Sequence, residues 1–138
     1  MAPGLFAYGT LQVPEILVQL LGRTLPAVNA VLVGYRCFRV SEKPYPGIIA
    51  EPGASVSGLL YAGASETELA LLDWYEGEFY ERRLVELQTA AGAVPGFAYV
   101  FQAAQRERLG AEEWDLAGFR RDHLAQYLED VARTRRAP

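Results

Sequence analysis

The stretch Leu5-Phe6-Ala7-Tyr8-Gly9-Thr10-Leu11 predicts an apolar strand that runs directly into a turn bearing a glycine. Pro14 follows, and because proline is favoured in the first turn of a helix, we expect a helix to begin there. Gly9 allows a close approach of the backbone to a ligand, and free N–H groups between a strand and a helix attract anionic oxygens. The stretch therefore predicts a small-molecule binding loop at residues 8–11, although Tyr-Gly-Thr-Leu by itself is more often a simple turn.

The composition favours one globular domain spanning residues 1–138, with a flexible basic tail at about 133–138. The chain is 51% hydrophobic, and 138 residues suffice for one core but not for two ordinary domains. Its net charge of −4 argues against nucleic acid as a partner. The sequence shows neither a membrane-spanning run nor a signal peptide, so we expect a cytoplasmic protein without a membrane partner.

Cysteine and histidine are scarce, with one of each, Cys37 and His123. This scarcity excludes an intrachain disulfide framework and the usual zinc spacings, and the chain also lacks the glycine-rich nucleotide-binding motifs. We therefore expect no cofactor and no metal. Cys37 lies in an apolar strand and should be inert, and His123 falls on the apolar stripe of a helix without a nucleophile-elbow sequence to pair with it.

Apolar periodicity and turn residues predict an α+β domain, a small mixed β-barrel or curled sheet with about three peripheral helices. The expected strands are 5–8, 27–40 as one long or two short strands, 48–50, 56–61, 80–88 and 97–102. The expected helices are 14–22, 65–77 with a capping box at Ser65, and 116–131. Glu51-Pro52-Gly53 is expected to form a turn between two strands.

A cluster of acids at the end of the second helix is the other unusual feature, in the segment Asp73–Arg82. The helix macrodipole disfavours carboxylates at this end, and broken local rules often mark a functional site. Trp74, Tyr75 and Phe79 are expected to desolvate Glu76 and raise its pKa, which would suit acid–base chemistry. A glutamate before a helix-ending glycine is also commonly just exposed, and the local pattern leaves both alternatives open.

Together these segments resemble the γ-glutamylcyclotransferase-like family, most closely its avirulence-induced-gene-like and γ-glutamylamine cyclotransferase branch. The matching segments in chain order are 6–11, 14–22, 34–36, 45–48, 56–60, 72–82 and 114–115. Two positions depart from the family pattern: Gly47 stands where alanine is commoner, and Tyr75 where phenylalanine is common. Neither departure touches a group that is expected to react.

The resemblance implies a small mixed β-barrel and a cofactor-independent enzyme that cyclises a γ-glutamyl amide or peptide to 5-oxoproline and releases an amine. It implies that Glu76 is the catalytic base and then acid. It further implies that the substrate is bound by Tyr8, Gly9, Thr10, Leu11 and Tyr80, and that Arg82 pairs with a nearby acid. The alternative is a non-catalytic small-molecule-binding or interaction domain with the same fold. The sequence leaves open the leaving amine and the oligomeric state.

Overall fold

A computed structural model describes residues 3–136 of the protein, with side chains described as far as residue 133. Strands and helices alternate irregularly along this part of the chain. The strands are β1 (Gly4–Ala7), β2 (Ala27–Arg39), β3 (Pro46–Tyr61), β4 (Tyr80–Thr89) and β5 (Gly92–Phe101). The α-helices are α1 (Pro14–Leu21), α2 (Glu66–Glu76), α3 (Leu116–Asp122) and α4 (Leu124–Arg136). Two 3-10 helices, at Thr10–Gln12 and Ala103–Arg108, complete the elements of this part of the chain.

The five strands close into a barrel in the order β1-β3-β2-β4-β5. The barrel closes where β1 runs parallel to β5, whereas the other neighbouring strands are antiparallel. This mixed barrel with peripheral helices confirms the predicted fold class. Because β1 is hydrogen-bonded on both sides, the loop that follows it starts from a rigid point.

The wall formed by β2 and β3 corrects one prediction. Val33 pairs with Ser55 and Tyr35 pairs with Ala50, so β3 carries extra residues at this level and bulges. Gly34 and Gly53 have φ angles of +88° and +87°, which other residues rarely adopt. The turn predicted at 51–53 is therefore wrong, because these residues form a bulge inside one long strand rather than a break between two.

Alternation along the strands divides the apolar side chains between two cores. On β1, Phe6 belongs to the cluster that fills the barrel, whereas Leu5 and Ala7 belong to the cluster beneath the helices. The outer cluster includes Ile16 of α1 and Leu72 of α2. The helices thus cover one side of the barrel, at the end where β1 leaves it.

The helices largely follow their predicted bounds. Ser65 Oγ accepts the Glu68 N–H at 3.1 Å and Glu68 Oε1 accepts the Ser65 N–H at 2.9 Å, which confirms the capping box. The expected single C-terminal helix is divided at His123 into α3 and α4. At this division the ring of Phe119 meets those of His123 and Tyr127.

None of the helices within residues 3–136 is both long enough and apolar enough to cross a membrane. The backbone of α4 reaches Arg136, and the side chains from 134 onward lie outside the described residues, so the basic tail stays a prediction.

Candidate active site

A cavity of about 140 Å³ opens where β1 ends, beside the C-terminal end of α2. It is lined by Phe6, Ala7, Tyr8, Gly9, Thr10, Leu11, Tyr45, Pro46, Tyr75, Glu76, Tyr80, Tyr99 and Tyr127. All six residues predicted from the sequence therefore lie around one cavity. The cavity is small compared with the roughly 300–1,000 Å³ typical of drug-sized ligands, so it accommodates a group about the size of one amino acid.

Hydrogen bonds donated to its backbone carbonyl groups hold the loop at residues 8–11 in place. The Gln12 side-chain amide donates to the carbonyl oxygen of Tyr8 at 2.8 Å, and Tyr61 donates to that of Leu11 at 2.8 Å. The carbonyl oxygen of Gly9 accepts the Gln12 N–H at 3.0 Å. The carbonyls are thus occupied, while the first N–H groups of the 3-10 helix that begins at Thr10 have no partner within that helix.

Gly9 is required by close packing rather than by an unusual φ angle. A Cβ placed on Gly9 would lie 2.8 Å from Cγ of Pro46, which also lines the cavity. Real Cβ atoms essentially never approach so closely. A larger residue at position 9 would therefore have to displace Pro46 or the loop itself.

Glu76 is the last residue of α2 and is followed by Gly77, whose φ angle is +87°. The side chain is half-buried, and burial, followed by the negative charge of Asp73, raises the pKa of Glu76 to about 8. Among the side chains described up to residue 133, none gives the Glu76 carboxylate a hydrogen bond or an ion pair. The carboxyl group is consequently free to exchange a proton with a ligand in the cavity.

The prediction that Trp74, Tyr75 and Phe79 desolvate Glu76 and raise its pKa is only partly right. Tyr75 does line the cavity beside Glu76, but Trp74 is 49% exposed and contributes no enclosure there. Phe79 packs on Phe101 with ring centroids 6.3 Å apart, outside the lining. The enclosure comes mainly from tyrosines on distant parts of the chain.

Most of these tyrosines are fixed by hydrogen bonds to the framework. Tyr8 donates to the carbonyl oxygen of Tyr99 at 2.5 Å, and Tyr80 donates to that of Pro46 at 2.7 Å. Burial raises the pKa of Tyr8, Tyr80 and Tyr99 well above the ordinary value, so their phenols stay protonated. Glu76 is then the lining group that titrates near neutral pH.

Both departures from the family pattern have a local explanation. The phenol oxygen of Tyr75 lies 3.0 Å from Thr10 Oγ1 and 2.5 Å from the Tyr127 phenol, so this hydroxyl ties the loop to α2 and α4. A Cβ at Gly47 would lie 2.6 Å from Cδ1 of Phe101, so that ring occupies the space an alanine would need.

An ion pair lies just behind Glu76. Arg82 donates from Nε to Asp73 Oδ1 at 2.8 Å and from Nη2 to Oδ2 at 3.2 Å, and the Tyr99 phenol donates to Oδ1 at 2.7 Å. This arrangement confirms the expected pairing of Arg82 with a nearby acid. It also holds the Asp73 charge one helical turn from Glu76.

Sequence reasoning missed six lining residues: Phe6 and Ala7, which directly precede the predicted loop, and Tyr45, Pro46, Tyr99 and Tyr127. The last four come from the β2–β3 connection, β3, β5 and α4, so only the closed barrel brings them together. The pattern Tyr45-Pro46-Gly47 was a detectable signal, whereas nothing local distinguishes Tyr99 or Tyr127. Among the described residues, no group of three or more His, Cys, Asp or Glu side chains could hold a metal ion.

The remaining chemically notable side chains lie away from the cavity. Cys37 is in β2, and burial raises its pKa to about 12, in line with the expected inert thiol. His123 contacts the ring of Phe119 with centroids 6.4 Å apart. Neither residue lines the cavity.

Comparisons with known proteins bear on the family and the fold of this chain. The profile described as gamma-glutamyl cyclotransferase, AIG2-like, matches residues 5–116. AIG2-like protein B of Arabidopsis thaliana is 32% identical over 127 residues, which cover 91% of this chain and 73% of that protein. The solution structure of another Arabidopsis thaliana protein superposes with a TM-score of 0.71 at 30% identity, covering 96% of this chain and 81% of the other.

A solved structure named gamma-glutamyl cyclotransferase has the same fold, with a TM-score of 0.62 at 16% identity over 94% of this chain and 85% of its own. At this identity the likeness concerns the fold alone. The profile match, by contrast, extends from β1 through the cavity-lining residues of α2, β4 and β5 to the start of α3. The chain therefore belongs to the gamma-glutamyl cyclotransferase, AIG2-like family.

Proposed function

We propose that this protein cyclises a γ-glutamyl amide to 5-oxoproline and releases the amine. The observation that carries the proposal is the Glu76 carboxyl group, which has a pKa of about 8 and no protein partner among the described side chains at the cavity. A general base is most effective when its pKa lies near the working pH. Family membership supports the same class of reaction.

In the proposed reaction the Glu76 carboxylate takes a proton from the substrate's α-ammonium group. The freed amine attacks the γ-carbonyl carbon, and a C–N bond closes a five-membered ring whose nitrogen still carries a surplus proton. Glu76 then gives its proton to the departing nitrogen as the original amide C–N bond breaks, and the regenerated carboxylate passes the surplus proton from the ring nitrogen to the released amine. The substrate supplies its own nucleophile, and a positioned acid–base group contributes about 10²–10⁴-fold in rate.

The loop at residues 8–11 has the complementary role of folding the substrate. Its unpartnered N–H groups hold an anionic oxygen, either the α-carboxylate or the oxyanion that develops on the γ-carbonyl. The fixed phenols of Tyr8 and Tyr80 limit the space in which the glutamyl chain can extend. Because amine and carbonyl already belong to one molecule, the loop has only to restrict the rotations of the glutamyl chain, and it supplies a part of the roughly 7–11 kcal/mol that full orientation can recover.

The test is the release of 5-oxoproline from a panel of γ-glutamyl amino acids and amines. Glu76→Gln keeps the shape of the side chain but removes the base, so we expect a loss of at least about 10²-fold in kcat. Glu78→Gln, at an exposed position two residues away, is the matched control and should retain turnover. A wild-type protein that binds these compounds in a thermal-shift assay without releasing 5-oxoproline would instead support the non-catalytic binding domain.

A further inference from the structure

Three hydroxyl groups from distant parts of the chain meet at the cavity. Thr10 belongs to the loop after β1, Tyr75 to the last turn of α2, and Tyr127 to the first turn of α4. The Tyr75 phenol oxygen lies 3.0 Å from Thr10 Oγ1 and 2.5 Å from the Tyr127 phenol oxygen, and all three residues line the cavity. We call these three residues the hydroxyl chain.

Most other hydroxyl groups in the lining have no proton available for a ligand. None of the described lining residues carries a positive charge, so an anionic oxygen inside the cavity has to be bound by neutral donors. A phenol has a single proton to donate. Tyr8 and Tyr80 donate theirs to backbone carbonyl oxygens, and Tyr99 donates its own to a carboxylate. The Tyr45 phenol, which makes no hydrogen bond with the described residues, and the hydroxyl chain remain as side-chain donors.

The hydroxyl chain has one proton more than its internal hydrogen bonds use. Burial raises the pKa of Tyr127 to about 12 although the hydroxyls of Tyr75 and Thr10 act in the opposite direction, so this phenol keeps its proton at neutral pH. Three hydroxyls then carry three protons, and the two hydrogen bonds between them use two of these. Within the described part of the chain, no hydrogen bond joins Thr10 directly to Tyr127. One proton is therefore left at an end of the hydroxyl chain, and both ends line the cavity.

The chemistry of the three groups indicates which end keeps that proton. A phenol is a stronger acid than an aliphatic alcohol and is therefore the better donor, so Tyr75 donates to Thr10. Tyr127 in turn donates to Tyr75, because the single proton of Tyr75 is already used. The proton of the Thr10 hydroxyl is then the one directed to a ligand, and polarisation along such a chain strengthens its last donor.

The ring of Tyr127 is held in place independently of its hydroxyl. It packs edge-on against the buried ring of Phe119, with centroids 5.2 Å apart. The Tyr127 N–H donates to the carbonyl oxygen of His123 at 2.9 Å, where α3 gives way to α4. Phenylalanine at position 127 would keep both contacts and lose only the hydroxyl. Tyr127 also lies beyond residue 116, where the match to the family profile ends.

We propose that Tyr127 is a positioning residue that acts through Tyr75 and directs the Thr10 hydroxyl at the α-carboxylate of the glutamyl group. This inference rests on the proposed function. The α-carboxylate is charged throughout the reaction, so it is the substrate group that most needs a donor in a lining without a cation. A contact that is equally strong in the ground state and the transition state acts on KM rather than on kcat.

The experiment measures kcat and KM for the member of the γ-glutamyl panel that the wild type turns over fastest. Thr10→Val removes the last donor and should raise KM by about tenfold or more at nearly unchanged kcat, the size expected for a hydrogen bond to a charged group. Thr10→Ser keeps the hydroxyl and should retain most of the affinity. Tyr75→Phe and Tyr127→Phe should each raise KM by about three- to tenfold.

The two phenylalanine substitutions together distinguish a positioning role from a separate structural one. Because Tyr127 acts through Tyr75, the double variant should have the KM of Tyr75→Phe alone, whereas independent contributions would multiply. Tyr35→Phe is the matched control, since it removes a half-buried phenol outside the cavity lining and should leave both kinetic constants unchanged.

The outcomes separate this inference from the proposed function. An unchanged KM in Tyr127→Phe, or multiplying effects in the double variant, would overturn the positioning role while leaving the cyclisation intact. A loss confined to kcat would overturn the assignment to the α-carboxylate, since it would place the donor at the developing oxyanion instead. Release of 5-oxoproline from no member of the panel would overturn the proposed function and this inference with it.

Discussion

The stability of the protein should depend on pH through Glu76 in a way that does not require activity. The pKa of this group rises from its usual 4.5 to about 8 in the folded protein, chiefly because of burial. Between those two values the folded chain holds one more proton than the unfolded chain, so the free energy of unfolding falls as the pH rises. Replacing the carboxyl group with an amide removes this dependence.

The size of the effect follows from the two pKa values. At about 1.36 kcal/mol per pH unit the full difference would cost roughly 4–5 kcal/mol. Because Glu76 is only half-buried and faces an open cavity, we expect about 3–4 kcal/mol. Relative to the wild type, Glu76→Gln should therefore gain stability by about this amount between about pH 5 and about pH 9.

Urea unfolding followed by circular dichroism at the two pH values measures this gain directly. Glu78→Gln removes an exposed carboxyl group from the adjacent turn and corrects for general charge effects. The reasoning is refuted if Glu76→Gln and wild type differ by the same free energy of unfolding at both pH values. Such a result would mean that Glu76 is ionised and solvated at neutral pH in the folded protein.

Substitutions near Glu76 should shift the pH dependence of activity or weaken substrate binding. Asp73→Asn removes the negative charge that raises the pKa of Glu76, so the acid limb of the kcat/KM profile should move to lower pH by about one unit. Two charges about 6 Å apart interact by about 2–3 kcal/mol at an effective dielectric constant of about 20, and Arg82 already compensates part of this energy. Arg82→Gln leaves the Asp73 charge uncompensated and should move the same limb to higher pH; a shift of both variants in one direction would contradict this account. Gly9→Val forces a side chain against Pro46, and such overpacking costs about 1–3 kcal/mol. The apparent Kd for substrate should therefore rise by about tenfold or more, and unchanged binding in calorimetry would disprove this expectation.

The stability prediction and the proposed function describe two consequences of one arrangement. A carboxyl group that is costly to ionise in the folded state destabilises the protein at high pH, and the same cost brings its pKa to the range where it can accept and return a proton. Functional sites commonly retain such groups at the expense of stability. Glu76→Gln should accordingly be the more stable and the less active protein.

Local sequence was sufficient for features whose causes lie within a few residues. Ser65 and Glu68 satisfy each other's backbone groups, so the start of α2 was predictable, and Pro14 and Gly22 defined the ends of α1 in the same way. Gly9, directly after the apolar strand, indicated the loop. These signals operate between neighbouring residues and do not depend on the rest of the chain.

Features that depend on interactions between residues far apart in the chain could not be predicted from local sequence. Glu51-Pro52-Gly53 has the composition of a turn, yet pairing of β2 with β3 on both sides of it keeps it inside one strand. Trp74 is two residues from Glu76 in sequence but points to the surface, because positions two apart on a helix face different directions. Proximity in the sequence was therefore a poor guide to which side chains surround Glu76.

The sequence by itself determined the first two helices, most strands, the loop at residues 8–11 and the candidate acid, because capping, periodicity and glycine placement are local properties. Only the tertiary structure decided that Tyr45, Tyr99 and Tyr127 enclose that acid. The physical reason is that desolvation and charge act through space. The pKa of Glu76 is consequently set by where the closed barrel places residues that are far apart in the chain.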